Sequence, residues 1–185
     1  MKLTVYGSFN CPYSFLASLR VERLCGLGVA DVEWRAVVHD PGVPLGGLPV
    51  IGELAGMLDR ELNEIRGLLP VGEPYPARRP RVQPNTTLAV AGYSAATGVG
   101  TSRLRVTLFD AFWVKGLDLG DARVLGELGC PAAPPEATMQ WWRDEWLGLE
   151  RPMVPMVVFP EGTACRGLGA LKRLADLGAD NGASR

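Results

Sequence analysis

The chain has 185 residues, 47% of them hydrophobic, and a formal net charge of −1 with 19 basic against 20 acidic side chains. That is enough chain to bury a core, as one domain or one domain with an inserted lobe. It excludes the basic footprint of a nucleic-acid or anionic-lipid binder, because no block of like charge occurs, and no apolar run approaches the roughly 18 to 20 residues that span a bilayer.

The opening "MKLTVYGSF" enters a strand-like run with no signal-peptide pattern, so a cytoplasmic protein is expected. Leu3 and Val5 mark a buried strand over 2–9 that ends in the turn at Gly7 and Ser8. From Pro12 a helix is predicted, with Tyr13, Ala17, Val21, Leu24 and Cys25 as one apolar stripe, Ser18, Glu22 and Arg23 elsewhere, and Gly26 and Gly28 as the stop. "DVEWRAVVHDPG" (31–42) alternates as a second strand, which completes a right-handed βαβ unit. From about 50 to 150 helical patterns follow one another without a convincing strand, the Pro/Arg-rich "PVGEPYPARRPRVQP" (70–84) being an extended connection. "MVPMVVFPEGTACRG" then predicts a hairpin turning at Glu161 and Gly162, and "LGALKRLADLG" a closing helix with Leu168, Leu171, Leu174 and Ala175 on one side. The expected architecture is therefore α/β: a βαβ…ββα sheet domain from 1–49 and 151–185, with an all-helical lobe inserted at 50–150.

Four cysteines, Cys11, Cys25, Cys130 and Cys165, stand far apart, which argues against a disulfide framework, and with a single histidine, His39, no metal-ligand spacing is present. The chemistry concentrates in "SFNCPYSFLAS". Proline is favoured as the first helical residue, so Cys11 falls at the helix N-cap, where free N–H groups and the helix dipole stabilise thiolate over thiol. A pKa lowered into the range of about 3.5 to 7.5 is expected there. Ser14 lies on the same side of the first turn and can donate a hydrogen bond to the thiolate, and Gly7, Ser8 and Asn10 read as an open polar turn. Cys25 lies 14 residues along the helix, about 21 Å away, and cannot act as a resolving thiol. Pro155 belongs at the start or edge of its strand, and from pattern alone its peptide bond defaults to trans.

His39 reads as a strand-end surface residue, with a role as base the alternative. Trp141, Trp142 and Trp146 read as a packed helix face, with an aromatic wall for substrate the alternative, and Arg78, Arg79 and Arg81 as solvated surface, with a substrate carboxylate their alternative partner. Sixteen arginines against three lysines suggest a GC-rich bacterial source.

A strand, Cys-Pro-x-x at a helix start, a βαβ unit, a long helical insertion and a late Val-Pro before a strand together resemble a thioredoxin-like domain of the DsbA family over almost the whole chain. "SFNCPYSFLAS", "QPNTTLAVAGY" and "LFDAFWVKGLDLGDARVLGELG" resemble the branch that holds 2-hydroxychromene-2-carboxylate isomerase, kappa-class glutathione transferase and FrnE-like proteins, whose typical motif is Ser-Pro-Tyr-Ser. The resemblance implies Cys11 and Ser14 as catalytic residues, a cis Val154–Pro155 bond beside them, and Pro12, Tyr13, Asn85, Val154 and Pro155 as residues that bind substrate or thiol. It also implies no tightly bound cofactor, glutathione or another low-molecular-weight thiol as cosubstrate, and a homodimer. Glutathione-using relatives carry a carboxylate near the start of the last helix, and "CRGLGALKRL" has none.

Three readings follow. The first is a monothiol Cys-Pro-Tyr-Ser oxidoreductase that forms mixed disulfides through Cys11 and passes them to a small thiol. The second is a small-thiol-dependent isomerase or transferase, and the third a redox-silent thioredoxin-fold binding module.

Overall fold

The computed structural model describes residues 1–96, 100–134 and 137–182, with side chains to residue 179. Strand β1 (Lys2–Gly7) runs into helix α1 (Pro12–Gly26) and returns as β2 (Asp31–Ala36), parallel to β1 with Lys2 opposite Asp31 and Gly7 opposite Ala36. Late in the chain, β5 (Met156–Val158) pairs antiparallel with β1, and β6 (Ala164–Arg166) pairs antiparallel with β5. The sheet order is β2-β1-β5-β6, and the final helix, α7 (Gly167–Gly182), follows β6. This is the expected βαβ…ββα arrangement, and it has the period-two signature of its cause: Leu3 and Val5 point into the core while the ladder satisfies their backbone.

Between β2 and β5 lie helices α2 (Gly52–Gly67), α3 (Thr87–Ala95), α4 (Gly100–Trp113), α5 (Ala122–Glu127) and α6 (Ala137–Gly148). One expectation fails here. The stretch predicted to lack strands contains β4 (Val82–Gln83), which pairs antiparallel with β3 (Leu48–Pro49) as a two-stranded ladder. Two residues are too few to show an alternating pattern, so pairing across the intervening 32 positions is what creates them.

Helix α1 is the axis of the molecule, and its burial exceeds the single predicted stripe. Ala17, Val21 and Leu24 face the core as expected and Tyr13 and Cys25 are half-buried, but Phe15, Ser18 and Arg20, outside that stripe, are also buried. The reason is that α7 and α4 both pack on α1, so two faces lose water. Each buried polar group there is matched: Ser18 Oγ accepts from Arg105 Nε at 3.0 Å, and Arg20 donates to both Glu73 oxygens at 2.7 and 2.6 Å and to the Leu171 carbonyl at 2.7 Å. The Pro-rich connection is extended as expected and is also held down, because the Tyr75 hydroxyl donates to the Pro12 carbonyl at 2.9 Å and its ring packs on Phe15. In α7, Leu171 and Leu174 are buried, whereas Leu168 is 45% exposed and turns to a cavity instead of the core. Among the described residues no helix is long and apolar enough to cross a membrane.

Candidate active site

The site is built by the turn between β1 and α1. Gly7 closes the strand because no side chain fits: a Cβ there would lie 2.2 Å from the Trp34 ring. The chain then folds back through a hydrogen bond from the Cys11 N–H to the Ser8 carbonyl at 3.2 Å, and Trp113 Nε1 fixes the Phe9 carbonyl at 2.9 Å. Cys11 is the N-cap of α1 in extended conformation, Pro12 follows at the first helical turn, and the Cys11 carbonyl accepts the first helical bond from the Phe15 N–H. The predicted helix start is therefore in place.

The turn is closed where an open one was expected. Ser8, Asn10 and Ser14 are buried, and Cys11 is 7% exposed. Their polarity is consumed internally: the Ser8 hydroxyl donates to Asn10 Oδ1 at 2.7 Å, and the Ser8 N–H donates to Ser14 Oγ at 3.2 Å. Because Ser14 Oγ accepts from Ser8, its own proton is free to point at the Cys11 sulfur. The expected lowering of the Cys11 pKa is also reversed in sign. Burial pushes the thiol up, and this outweighs the Ser14 hydroxyl and the N–H groups of Ser14 and Tyr13, which pull it down as a helix start should, with Glu61 adding to the upward side.

Opposite the sulfur stands the segment before β5. Cys11 Sγ lies 3.9 Å from the Val154 carbonyl oxygen, and the Val154–Pro155 peptide bond is cis. The Pro155 carbonyl accepts from the Gly167 N–H at 2.8 Å, which ties this segment to the start of α7. Cys11 and Val154 open onto a cavity of about 410 Å³, whose wall includes Tyr13, Glu61, Trp146 and Leu168. The Tyr13 hydroxyl donates to Glu64, and burial together with that carboxylate holds the phenol well above its ordinary pKa.

Of the residues expected at the site, Cys11, Pro12, Tyr13, Ser14, Val154 and Pro155 come together. Asn85 does not line the cavity. Its side chain donates to the Val43 carbonyl at 2.6 Å and accepts from the Thr87 N–H at 3.0 Å, so its polar groups are spent holding a loop and the start of α3. All four cysteines are free; Cys25, Cys130 and Cys165 are absent from the cavity wall. Cys130, against Gly92 and the Ala89 carbonyl, has its thiol pushed up to about 11 by burial. Among the described residues no three His, Cys, Asp or Glu side chains gather as a metal-binding group.

No protein-family model matches the chain, and no curated protein matches it. Solved structures do. The chain superposes on 2-hydroxychromene-2-carboxylate isomerase with a TM-score of 0.64 at 17% identity, covering 98% of this chain and 95% of that one. It superposes on the cytosolic disulfide reductase DsbM from Pseudomonas aeruginosa with GSH with a TM-score of 0.66 at 18% identity, covering 100% and 98%. A probable DsbA oxidoreductase from Streptomyces coelicolor gives 0.68 at 16% identity, covering 100% and 91%. The fold is DsbA-like. It is the fold that the resemblance to the isomerase branch implied.

Two further residues of the cavity are ones for which the sequence left a structural and a functional reading open. His39 is exposed at the rim, crowded enough by protein atoms that partial desolvation lowers its pKa against the opposing pull of Asp40. Trp146 is both packed, as its helical spacing predicts, and part of the cavity wall, and its Nε1 donates to the Met153 carbonyl at 3.3 Å. Glu61 gave no signal in the sequence at all. It is one of several charged residues along α2, and only its proximity in space to a thiol from α1 distinguishes it.

Proposed function

We propose that the protein is a thiol-disulfide oxidoreductase that works through one sulfur. Cys11 attacks a disulfide, retains one half as a mixed disulfide, and is released by a soluble thiol. The observation that carries this reading is the position of Cys11 Sγ, at a helix N-cap, 3.9 Å from the Val154 carbonyl and opening onto a cavity without a second cysteine. Ser14 supports the thiolate with its free proton, and the Val154–Pro155 segment forms the opposite wall of the substrate groove. The solved structures of a disulfide reductase and a probable oxidoreductase with this fold support the same chemistry, and the glutathione in one of them supports a small thiol as cosubstrate. A cytoplasmic setting, where small thiols are abundant and disulfides rare, suits this exchange.

The raised resting pKa slows such an attack without abolishing it. Each unit of pKa removes about tenfold in thiolate but returns roughly threefold in nucleophilicity, a net loss of about threefold. A second reading takes its support from the same burial. A protonated Cys11 beside an apolar cavity suits a bound small thiol that supplies the reacting sulfur, as in an isomerase or transferase. Turnover of a small disulfide by the wild type and by Cys11→Ser separates the two. Under the first reading the variant loses all turnover above background; a variant that keeps reacting in the presence of added thiol supports the second.

A further inference from the structure

The Cys11 cavity has a charge character that sulfur exchange by itself does not need. Glu61 places a half-buried carboxyl on its wall and makes no hydrogen bond or ion pair within the described residues. No lysine or arginine lines the cavity. Burial, followed by the neighbouring Glu64, pushes the Glu61 carboxyl above its ordinary pKa, and only Arg60, which lies off the cavity wall, pulls it down. Such a carboxyl lacks the cation that would stabilise its charged form. The wall also carries His39, which desolvation shifts toward its neutral form, and the Tyr13 and Trp146 rings, and aromatic faces attract cations and repel anions.

Resting on the oxidoreductase reading above, we propose that the cavity selects low-molecular-weight thiols and disulfides that carry a primary ammonium group and no carboxylate, the ammonium meeting the Glu61 carboxyl while the sulfur meets Cys11. Glutathione, with two carboxylates for one ammonium, would bring into this cavity negative charge that no lining cation neutralises.

The probe is cystamine. The Cys11 thiolate attacks one sulfur, the cystamine S–S bond breaks, a Cys11–cysteamine disulfide forms, and cysteamine leaves as a thiolate that takes up the proton Cys11 released. Mixed-disulfide formation at Cys11 is timed by mass spectrometry for cystamine, the neutral bis(2-hydroxyethyl) disulfide and oxidised glutathione, each rate divided by that of an unstructured cysteine peptide. The normalised cystamine rate is expected to exceed the neutral one by about tenfold, the scale of one charge-assisted contact, with oxidised glutathione below the neutral probe. Glu61→Gln is expected to bring the cystamine-to-neutral ratio to within about twofold of the peptide's. A ratio near one in the wild type, or one unchanged by Glu61→Gln, overturns the inference and leaves the oxidoreductase reading standing. If Cys11 reacts with none of the three, that reading fails, and calorimetry with S-methylcysteamine decides the inference alone. Binding weakened about tenfold by Glu61→Gln supports it, and binding that is absent or unaffected overturns it.

Discussion

At Cys11 two ordinary effects of a helix start act against each other. The N–H groups of Tyr13 and Ser14 and the Ser14 hydroxyl favour the thiolate, while enclosure by Val154 and the neighbouring turn favours the thiol, and enclosure wins. Alkylation of Cys11 by iodoacetamide, followed against pH in the folded protein, should therefore show a midpoint above the ordinary value of about 8.5. A midpoint below about 7 would mean that the helix terminus outweighs burial. Ser14→Ala should move the midpoint further up, because it deletes a group that favours the thiolate; a downward move would contradict the assignment. The linkage has a definite sign. A thiol whose pKa is higher in the folded than in the unfolded state contributes stability below the unfolded value, and that contribution fades as pH rises through the folded one. Urea unfolding should accordingly show the wild type losing stability above about pH 8.5 relative to Cys11→Ser.

The elements around the site are joined by side chains whose polar groups are paired across the fold. Arg105 of α4 is 1% exposed, accepted by Ser18 at 3.0 Å and Glu22 at 2.5 Å, with its guanidinium 5.4 Å from the Trp34 ring centre. Its long stem fills space that alanine would leave empty, and Arg105→Ala should cost about 2–4 kcal/mol in denaturant unfolding. A cost under about 0.5 kcal/mol, typical of a surface position, would show that the contact is not packed as described. Arg35 forms a second junction. It bonds the Tyr6 hydroxyl at 2.9 Å and Glu33 at 2.8 Å, pairs with Glu145, and lies 4.5 Å over the Trp141 ring, so it fastens α6 and its Trp146 to the sheet. Tyr6, with its pKa pushed up to about 12 chiefly by burial, stays a donor to Glu145 throughout the neutral range. At Gly7, a methyl group would strike the Trp34 ring, and Gly7→Ala should destabilise by about 1–3 kcal/mol, measured as a lowered unfolding midpoint. Unchanged stability would contradict the close packing of that turn.

Across the whole molecule, what could be read from the sequence is what local pattern encodes. The two parallel strands, the Pro12 helix start and the hairpin at Glu161 and Gly162 each have a short-range cause, and each is present. The closed turn was not legible, because Ser8, Asn10 and Ser14 look hydrophilic until their groups are seen to satisfy one another. Glu61 and Leu168 were not legible either: a charged residue on α2 and an apolar one on α7 acquire meaning only when both line the cavity beside Cys11. Asn85 shows the opposite case, a residue singled out by motif that the fold uses to brace α3. Whether this assembly presents one nucleophilic sulfur is decided by trapping. The protein is treated with excess bis(2-hydroxyethyl) disulfide, quenched with acid and mapped by mass spectrometry. A single adduct on Cys11 that added thiol removes is expected, with Cys25, Cys130 and Cys165 unmodified and no internal disulfide formed. An internal disulfide, or an adduct that forms first on another cysteine, would contradict it.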